Sequence, residues 1–399
     1  MLDIFGVHKF SVEWVDSCSA IAETVWKELY PPHVEGLWWY ALLERSKLDK
    51  QFKFFYAVVK SKSEIVAVAP TFLFDVPIEL VVPEEAMPVI EVASAFMPNL
   101  KYQRTLFIGS PCAEEGLVGI KEGIRFADIA PLVQEAADKK ARQLGACMIV
   151  WKDFPESFSK DLKALAREKK MFCITSFPGT VVTLKDDTME SYLQSLKSSH
   201  RHNLKKKLRK SREAVELQSD VIQNPDENTL REIFSLFQQT YERGKTKFEK
   251  LDINYFREAG KLAESYFVVV REKESGAMVA FMLCFKLAGK IVNKFIGLDY
   301  SKPTAWSLYF RLWEASLEWV LTQNCPEYLS GQTGYRFKID VGNALVPLNN
   351  YCKHTNPMVH AVFSNFSKNV SWATLDDDLK VYLAAHPDAD IPNKQPAPV

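Results

Sequence analysis

A run of basic residues between positions 197 and 212 has the residue types and spacing to bind an anion. It contains eight Lys or Arg and no Asp or Glu, in a chain that has fifty residues of each charge. Lys197, Arg201, Lys205 and Arg209 are four residues apart, so a helix would align them in one stripe. Such a stripe suits a pyrophosphate, a phosphorylated substrate or an RNA end, although a solvated helix face gives the same pattern.

The element that carries this stripe also has an apolar side. Leu193, Leu196, Leu204 and Leu208 recur at helical spacing, which predicts one basic helix over 193–212 with its leucines in a core. The two histidines of this run stand two residues apart and would point to different helix faces, with no Cys or carboxylate at ligand spacing nearby. We therefore expect no metal site here.

Composition narrows the class of protein. A chain of 399 residues favours two domains, and seven scattered Cys without a CxxC pair indicate free thiols in a reducing compartment. The N-terminus has no basic segment followed by an apolar core, and the longest apolar-rich stretch, Gly276–Leu287, is interrupted by Lys286. A pI near 7 argues against a general nucleic-acid coat. These features predict a cytoplasmic protein with no membrane span and no DNA partner.

The pattern of elements repeats. Each half reads as strand, two helices, a strand meander, helix, strand, helix, strand, without a repeat of residues. This order predicts an α/β (α+β) fold of two like domains, each a mixed sheet flanked by helices, joined through the basic helix. We place the domains at residues 1–187 and 188–376, and expect the Pro-containing segment 377–399 to be a disordered tail.

At the residue level, the second half resembles the FemAB-like and BioF2-like branch of the GNAT acyltransferase superfamily. Three stretches carry the resemblance: residues 196–206, with Arg201, Asn203 and Lys205; Tyr241–Gly244 followed by Asn293–Tyr300; and Gly331–Gly342, which runs on to His354. The Gly-Gln-Thr-x-Tyr-x-x-Lys sequence in the third stretch is the most specific of them.

The resemblance implies two tandem GNAT-like domains and transfer of an acyl or aminoacyl group to a small-molecule or peptide amine. The donor would be a co-substrate, either acyl-CoA, another acyl thioester on a carrier protein, or aminoacyl-tRNA, with no permanently bound cofactor. All three donors carry phosphate, which fits the basic helix. Two alternatives remain open: a degenerate binding module that docks RNA or an anionic carrier protein, and a cell-wall type transferase that depends on aminoacyl-tRNA.

The chain departs from simple GNAT enzymes at the pyrophosphate loop. Those enzymes grip the CoA pyrophosphate with backbone N–H groups of a Gly-rich loop, whereas the matching stretch here, Tyr300–Ser307, has no Gly. We expect Lys302 and the basic helix to replace that loop. The predicted donor-binding residues are Arg201, Asn203, Lys205 and Lys302.

The residues predicted to act on the reacting groups lie mostly in the third stretch. Lys338 matches the Lys of the family's Phe-Lys segment, which implies substrate binding or stabilisation of the transition state. Gln332 and Tyr335 could orient a carbonyl or protonate a leaving thiolate, and His354 could act as a base near neutral pH. Structural hydrogen bonds would explain Gln332 and Tyr335 equally well and would explain His354 better.

Two further cations and one loop complete the candidates. Lys294 is unusual in an otherwise apolar strand, and Arg243, just before Gly244, suits a carboxylate or phosphate; we assign both to substrate. Lys294 and Asp299 would point to opposite faces of that strand unless a bulge intervenes. Glu114–Glu115 suits an acceptor amine, although a solvated loop would look the same.

Overall fold

Two mixed β-sheets organise the chain, for which a computed structural model describes residues 10–78, 101–185, 188–244 and 248–386. The first sheet consists of β1 (Phe10–Val15), β2 (Phe52–Ser61), β3 (Glu64–Pro77), β4 (Tyr102–Ile108), β5 (Gly119–Ile120), β6 (Met148–Pro155), β7 (Phe172–Thr175) and β15 (Leu348–His354). The second consists of β8 (Gly179–Thr183), β9 (Leu217–Ile222), β10 (Ser265–Glu272), β11 (Met278–Leu287), β12 (Lys290–Leu298), β13 (Glu327–Leu329) and β14 (Ala344–Val346).

The strand orders of the two sheets correspond. The first is β1–β2–β3–β4–β6–β15–β7, with β5 paired to β3, and the second is β9–β10–β11–β12–β13–β8–β14. In each sheet an antiparallel meander leads to one parallel pair, β4 with β6 and β12 with β13. A parallel pair needs a crossover, which a helix supplies in both halves. The predicted α/β architecture of two like units is confirmed.

Helices cover both faces of each sheet. They are α1 (Glu23–Leu29), α2 (Leu37–Arg45), α3 (Phe126–Leu144), α4 (Ser159–Lys169), α5 (Met189–Ser195), α6 (Ser198–Ala214), α7 (Glu227–Arg243), α8 (Ile253–Gly260), α9 (Leu308–Leu321), α10 (Tyr335–Asp340), α11 (Pro357–Ser367), α12 (Trp372–Leu375) and α13 (Asp377–Ala385). The largest core lies between the two sheets and contains side chains of α1, α2, α7 and α8. Separate cores bury α3 and α4 on the first sheet, and α5, α6 and α9 on the second.

The two halves exchange their last strands. β8, from the first half, lies between β13 and β14 of the second sheet, while β15, from the end of the second half, lies between β6 and β7 of the first. The sequence predicts one last strand over residues 345–351. In the structure Pro347 separates β14 from β15, because proline cannot donate to a ladder. The domain division after residue 187 stays a prediction, and each sheet contains strands from both sides of it.

The basic segment forms two helices instead of one. Leu196 ends α5 in an extended conformation, and Lys197 precedes α6. The break places the Leu196 side chain so close to Gly342 that a Cβ there would meet its Cδ2 at 2.6 Å. All four predicted leucines are buried, which confirms the apolar stripe, while tertiary packing decides where the helix is interrupted.

The predicted disordered tail is wrong at its start, because residues 377–385 form α13. The Asp376 carboxylate caps this helix by accepting the N–H groups of Asp378 and Leu379. Leu379 is fully buried in a small core with Tyr335 and Trp372. Residues 387–399 of that tail lie outside the described residues.

Candidate functional site

Lys294 lies where the two halves meet, and its side chain is only 2% exposed. Its ammonium forms an ion pair with the Glu35 carboxylate and lies 3.0 Å from the Glu114 carboxylate, both from the first half. It also donates to the Cys112 carbonyl at 2.7 Å and lies 4.7 Å from the centre of the Trp39 ring. The buried Lys294 ammonium of the second half therefore forms its ion pairs and its hydrogen bond to a carbonyl with groups of the first half.

A β-bulge aims this lysine. Leu283 of β11 pairs with Phe295, but the next residue, Cys284, pairs with Asn293, so Lys294 is left without a partner on β11. The sequence prediction allowed for such a bulge as the only way to reorient this side chain. The extra residue turns its side chain towards the first half, where the two carboxylates lie.

The buried charges at this interface have shifted pKa values. Burial would lower the pKa of Lys294, but the Glu114 and Glu35 carboxylates outweigh burial and raise it, so the ammonium is charged at neutral pH. Burial raises the pKa of Glu35, and the Lys294 ammonium opposes that rise. The interface thus holds a cation that keeps its charge and a carboxyl that takes up a proton readily.

A small open cleft of about 20 Å³ adjoins this ion cluster. Its walls come from both halves: Val34, Glu35, Tyr40, Glu114, Glu115 and Leu117 from the first, and Leu287, Lys290 and Val292 from the second. Among the described residues the Glu115 carboxylate has no hydrogen-bond or ion-pair partner, and burial raises its pKa while Lys290 opposes the rise. A carboxylate with a raised pKa that faces a pocket can accept a proton from a ligand.

Lys338 holds the loop between β13 and α10. Its ammonium donates to the carbonyls of Ser330, Gly331 (3.3 Å) and Gln332 (3.1 Å), and the residue is buried. Burial lowers the pKa of Lys338 to about 8, against the opposing effect of Glu114. The loop turns tightly, with positive φ at Gly331 (62°), and the three carbonyl contacts fix its path.

Gln332 is the polar side chain in this loop that lacks a partner. Its Nε2 is buried and has no hydrogen-bond acceptor among the residues that the structure describes. The loop abuts the ion cluster, because a Cβ on Gly331 would lie 3.7 Å from Oε1 of Glu114. A buried N–H donor without an acceptor is costly, so a ligand oxygen that occupied this position would relieve the cost.

The structure separates the other two predicted catalytic residues from this donor. The Tyr335 hydroxyl donates to the Pro178 carbonyl at 2.9 Å, and burial raises its pKa. His354 belongs to β15 of the first sheet, where its Nδ1 accepts the Asn356 N–H at 3.0 Å and burial lowers its pKa. The side chains of Tyr335 and His354 form no hydrogen bond with Gln332 or Lys338 among the described residues. Catalytic roles for both stay predictions.

The predicted donor-binding residues are spread along α6 and the loop that precedes α9. The Arg201 guanidinium donates to the Gln194 carbonyl at 3.0 Å, and the Lys205 ammonium pairs with Glu190 at 3.2 Å. Asn203 is exposed. Lys302 pairs with Glu272 at 3.0 Å. Donor binding by these four residues stays a prediction.

Arg243, one of the two predicted substrate-binding cations, is exposed at the end of α7. Its guanidinium lies over the Tyr300 ring, 4.4 Å from the centre. This stacking holds the arginine beside the loop that replaces the Gly-rich segment. Substrate binding by Arg243 and Lys294 stays a prediction.

The equivalent end of the first sheet is covered by the second half. There the Phe248 ring packs on Phe74 at 4.9 Å, and the Lys152 ammonium lies 5.9 Å from its centre. The Glu249 carboxylate accepts the Cys112 N–H at 3.1 Å. The two halves are therefore asymmetric: side chains fill the space in the first sheet, while the second keeps a loop with a free buried donor.

Sequence reasoning missed Glu35 and Trp39, which the first half contributes to the site. Glu35 lies in a short connection before α2 and belongs to no motif. Trp39 lies in an aromatic cluster of α2 that is typical of a hydrophobic core. The Glu114–Glu115 pair was noted, but side-chain exposure of only 13% at Glu114 excludes a solvated loop there. The unusual Lys294 was the one signal that pointed to buried carboxylate partners.

Two mixed sheets, each with one parallel pair reached through a helix, define the tandem GNAT class. Within that class the chain belongs to the FemAB-like family, because the family model for peptidoglycan biosynthesis and recognition matches residues 161–374. A comparison with curated protein sequences finds no match.

Similar solved structures share the fold over 81–87% of this chain. FemX aligns over 81% of this chain and 94% of its own, with a TM-score of 0.52 and 12% identity. A tandem GNAT protein from the clavulanic acid biosynthesis pathway aligns over 87% of this chain and 99% of its own, with a TM-score of 0.51 and 12% identity. A conserved protein of unknown function from Bacteroides thetaiotaomicron aligns over 86% of this chain and 99% of its own, with a TM-score of 0.54 and 10% identity. No helix within the described ranges has the length and apolar character to cross a membrane.

Proposed function

We propose that the protein is an N-acyltransferase that moves an acyl or aminoacyl group from a phosphate-bearing donor, such as acyl-CoA, to an amine. The observation that carries the proposal is the buried Gln332 amide, whose Nε2 has no acceptor and lies in a loop fixed by Lys338. Acyl transfer needs such a donor, because negative charge develops on the carbonyl oxygen in the transition state.

The bond changes follow from direct attack. The amine nitrogen attacks the thioester or ester carbonyl carbon, and the carbonyl oxygen takes the negative charge and accepts the Gln332 N–H. The C–N bond forms, the oxyanion collapses, and the C–S or C–O bond breaks. The proton lost by the amine goes to a carboxylate, and the leaving thiolate or alkoxide takes up a proton.

The acceptor amine is best matched by the pocket between the halves. Glu115 is the carboxylate there that has no hydrogen-bond or ion-pair partner among the described residues, and burial raises its pKa, which makes it a better proton acceptor. Glu114 links the pocket to the transfer loop, since it lies beside Gly331 and pairs with Lys294. In this proposal the Lys294 ammonium pairs with Glu114 and Glu35 and holds them in place, and the amine approaches from the Glu115 side.

Lys338 acts in this proposal as a positioning residue. Its three carbonyl contacts hold residues 330–332 in the one path that directs Gln332 inward. With a pKa of about 8, it is also able to supply the proton that the leaving group takes up. The resemblance to the family's Phe-Lys segment implied a role for this residue in the same step.

The test is turnover by the purified protein. Acyl-CoAs, acyl-pantetheines and aminoacyl-tRNA would be offered with amino acids, amino sugars and short peptides, and amide products detected by mass spectrometry. We expect product, and we expect Gln332→Leu to lower kcat by about 10²–10³-fold, as loss of one oxyanion donor does. Gln194→Leu, at an exposed glutamine of α5, is the matched control and should leave kcat unchanged.

Three outcomes would count against the proposal. Absence of amide product with every donor would reject it, and binding of a donor without turnover would favour the degenerate binding module. Equal activity of Gln332→Leu and wild type would reject the role of the amide while leaving the reaction class intact.

A further inference from the structure

The cleft between the halves is lined by two opposite charges that the chain leaves unpaired. The Glu115 carboxylate and the Lys290 ammonium both face it, and neither has a hydrogen-bond or ion-pair partner among the described residues. The two groups attract each other, since Lys290 opposes the rise in the pKa of Glu115, but they are too far apart to form an ion pair. Two separated opposite charges in one cleft are complementary to a ligand that carries both an ammonium and a carboxylate.

The other charges of the cleft are balanced without a ligand. The Lys294 ammonium pairs with the Glu114 carboxylate at 3.0 Å and also with Glu35. Burial raises the pKa of Glu35, which limits the negative charge that this carboxyl adds. One negative group, Glu115, and one positive group, Lys290, therefore remain for a ligand.

The position of Lys290 gives the ligand a direction. In β12, Lys290 pairs with Glu327 of β13, four residues before Gly331 of the transfer loop, a span of about 13 Å in an extended chain. Glu114, which precedes Glu115 in the sequence, lies beside Gly331. A ligand with its carboxylate at Lys290 and its amine at Glu115 therefore points its nitrogen towards the transfer loop.

The size of the cleft restricts the ligand to a small charged head. Its volume is about 20 Å³, whereas a single water needs about 10–15 Å³ of such space. The ammonium group and a carboxylate oxygen of an α-amino acid are each about the size of a water, whereas a sugar ring is several times larger. In a dipeptide the two charges are about 3.5 Å further apart along the chain. Because the cleft is open, the side chain of an amino acid would extend into solvent.

We infer that the acceptor is a free α-amino acid, whose carboxylate binds Lys290 and whose amine binds Glu115. The inference rests on the proposed function and names its acceptor. The amino acid enters as a zwitterion, and one proton passes from its ammonium to Glu115, which leaves a neutral nitrogen. The nitrogen attacks the acyl carbon, the C–N bond forms, the C–S or C–O bond breaks, and the second proton goes to the leaving atom. Glu115 then releases its proton to water, and the product is an N-acylated amino acid with a free carboxylate.

The test compares acceptors of matched shape with the donor that gives turnover. Leucine carries both charges, whereas leucinamide, isoamylamine and glucosamine carry only the amine. With wild type we expect a KM for leucine about tenfold or more below that for the other three, because only leucine gives Lys290 a carboxylate partner. Lys290→Met should raise the KM for leucine about tenfold and hardly change the KM for leucinamide. Lys290→Glu should reverse the preference, in favour of the diamine in which an aminomethyl group replaces the carboxylate of leucine.

A matched control separates this lysine from general charge. Lys286→Met removes the same charge from the neighbouring strand β11, where the ammonium donates to Gln323 at 2.8 Å and is not a wall of the cleft. It should leave the KM for leucine unchanged. The inference is overturned if leucinamide or glucosamine equals leucine with wild type, or if Lys286→Met raises the KM as much as Lys290→Met. Turnover in either case would leave the proposed function standing.

A binding measurement without a donor distinguishes failure of the inference from failure of the proposed function. Isothermal titration calorimetry would follow leucine and leucinamide binding to wild type and to Lys290→Met. If no donor is turned over, tighter binding of leucine by wild type than by Lys290→Met would support the amino-acid site and count against the transfer reaction. Equal binding by the two proteins, or no binding of leucine, would overturn the inference.

Discussion

Removal of the Lys294 ammonium gives the sharpest test of the interface between the halves. In Lys294→Met, the carboxylates of Glu35 and Glu114, only 12% and 13% exposed, lose their common counter-charge. Breaking a buried ion pair in this way costs about 3–5 kcal/mol, because the uncompensated charge stays buried. Glu35 already has a raised pKa and can take up a proton, so we expect a loss near 3 kcal/mol at neutral pH.

The pH dependence of this loss has a definite sign. Without Lys294, burial holds the folded-state pKa of Glu35 above the unfolded value of about 4.3. The folded variant then binds protons more tightly than the unfolded chain, so its stability falls as pH rises from about 4 through the folded pKa. We therefore expect the difference between wild type and variant to be smaller at pH 5 than at pH 8.

The assay is urea unfolding followed by tryptophan fluorescence and far-UV circular dichroism. Lys60→Met is the control, because the Lys60–Glu13 pair is a solvent-exposed cross-strand pair whose loss should cost under about 1 kcal/mol. Lys294→Met/Glu114→Gln should recover at least about 1 kcal/mol, since one of the two stranded charges is gone.

Two results would refute the reasoning. The first is that Lys294→Met unfolds with the same free energy as Lys60→Met. The second is that the double variant Lys294→Met/Glu114→Gln is less stable than Lys294→Met. If Lys294→Met does not fold, Glu114→Gln alone still reports on the cluster, and a loss above about 3 kcal/mol there would contradict a site with surplus negative charge.

Other predictions concern packing and titration. In Gly297→Ala the new Cβ would lie 2.6–2.7 Å from backbone atoms of Leu236 and Phe237, so we expect a loss of about 1–3 kcal/mol in the free energy of unfolding; Gly179→Ala, whose nearest contact would be 3.6 Å, should be nearly neutral. Folding lowers the pKa of Lys338 to about 8, so the unfolded chain keeps this proton up to about pH 10.4 and stability should rise between these values. Lys338→Met should lack that rise when the free energy of unfolding is measured with urea at pH 7–10. If the free energy of the variant rises with pH as steeply as that of wild type, the rise does not come from the buried Lys338 ammonium.

Local patterns predicted most elements, and the reason is visible in particular residues. Gly145 ends α3 in a left-handed conformation (φ 66°), as its place after a long helical pattern indicated. Gly276 and Gly289 turn the meander with positive φ, where no side chain would be tolerated easily. These signals depend on backbone sterics within a few residues, so the sequence alone is sufficient to predict them.

The exchange of strands could not be predicted in that way. Residues 345–351 were predicted as one strand, yet β14 and β15 join different sheets, and no local pattern indicates which sheet each strand joins. The same holds for the break at Leu196, where packing against Gly342 outweighs a continuous helical pattern. Burial of apolar area against distant segments decides such cases, because it outweighs helix propensity differences of under about 1 kcal/mol.

The sequence by itself determined the α/β repeat, the basic face of α6, and the segment that contains Gln332 and Lys338. Only the tertiary structure decided that a bulge turns Lys294 towards the first half, that Glu35 and Glu114 engage it there, and that Gln332 is left with a buried free donor. The physical reason is that charges and donors are matched across the interface between halves, over separations of 180 residues in the case of Lys294 and Glu114. Spacing along the chain carries no information about such pairs.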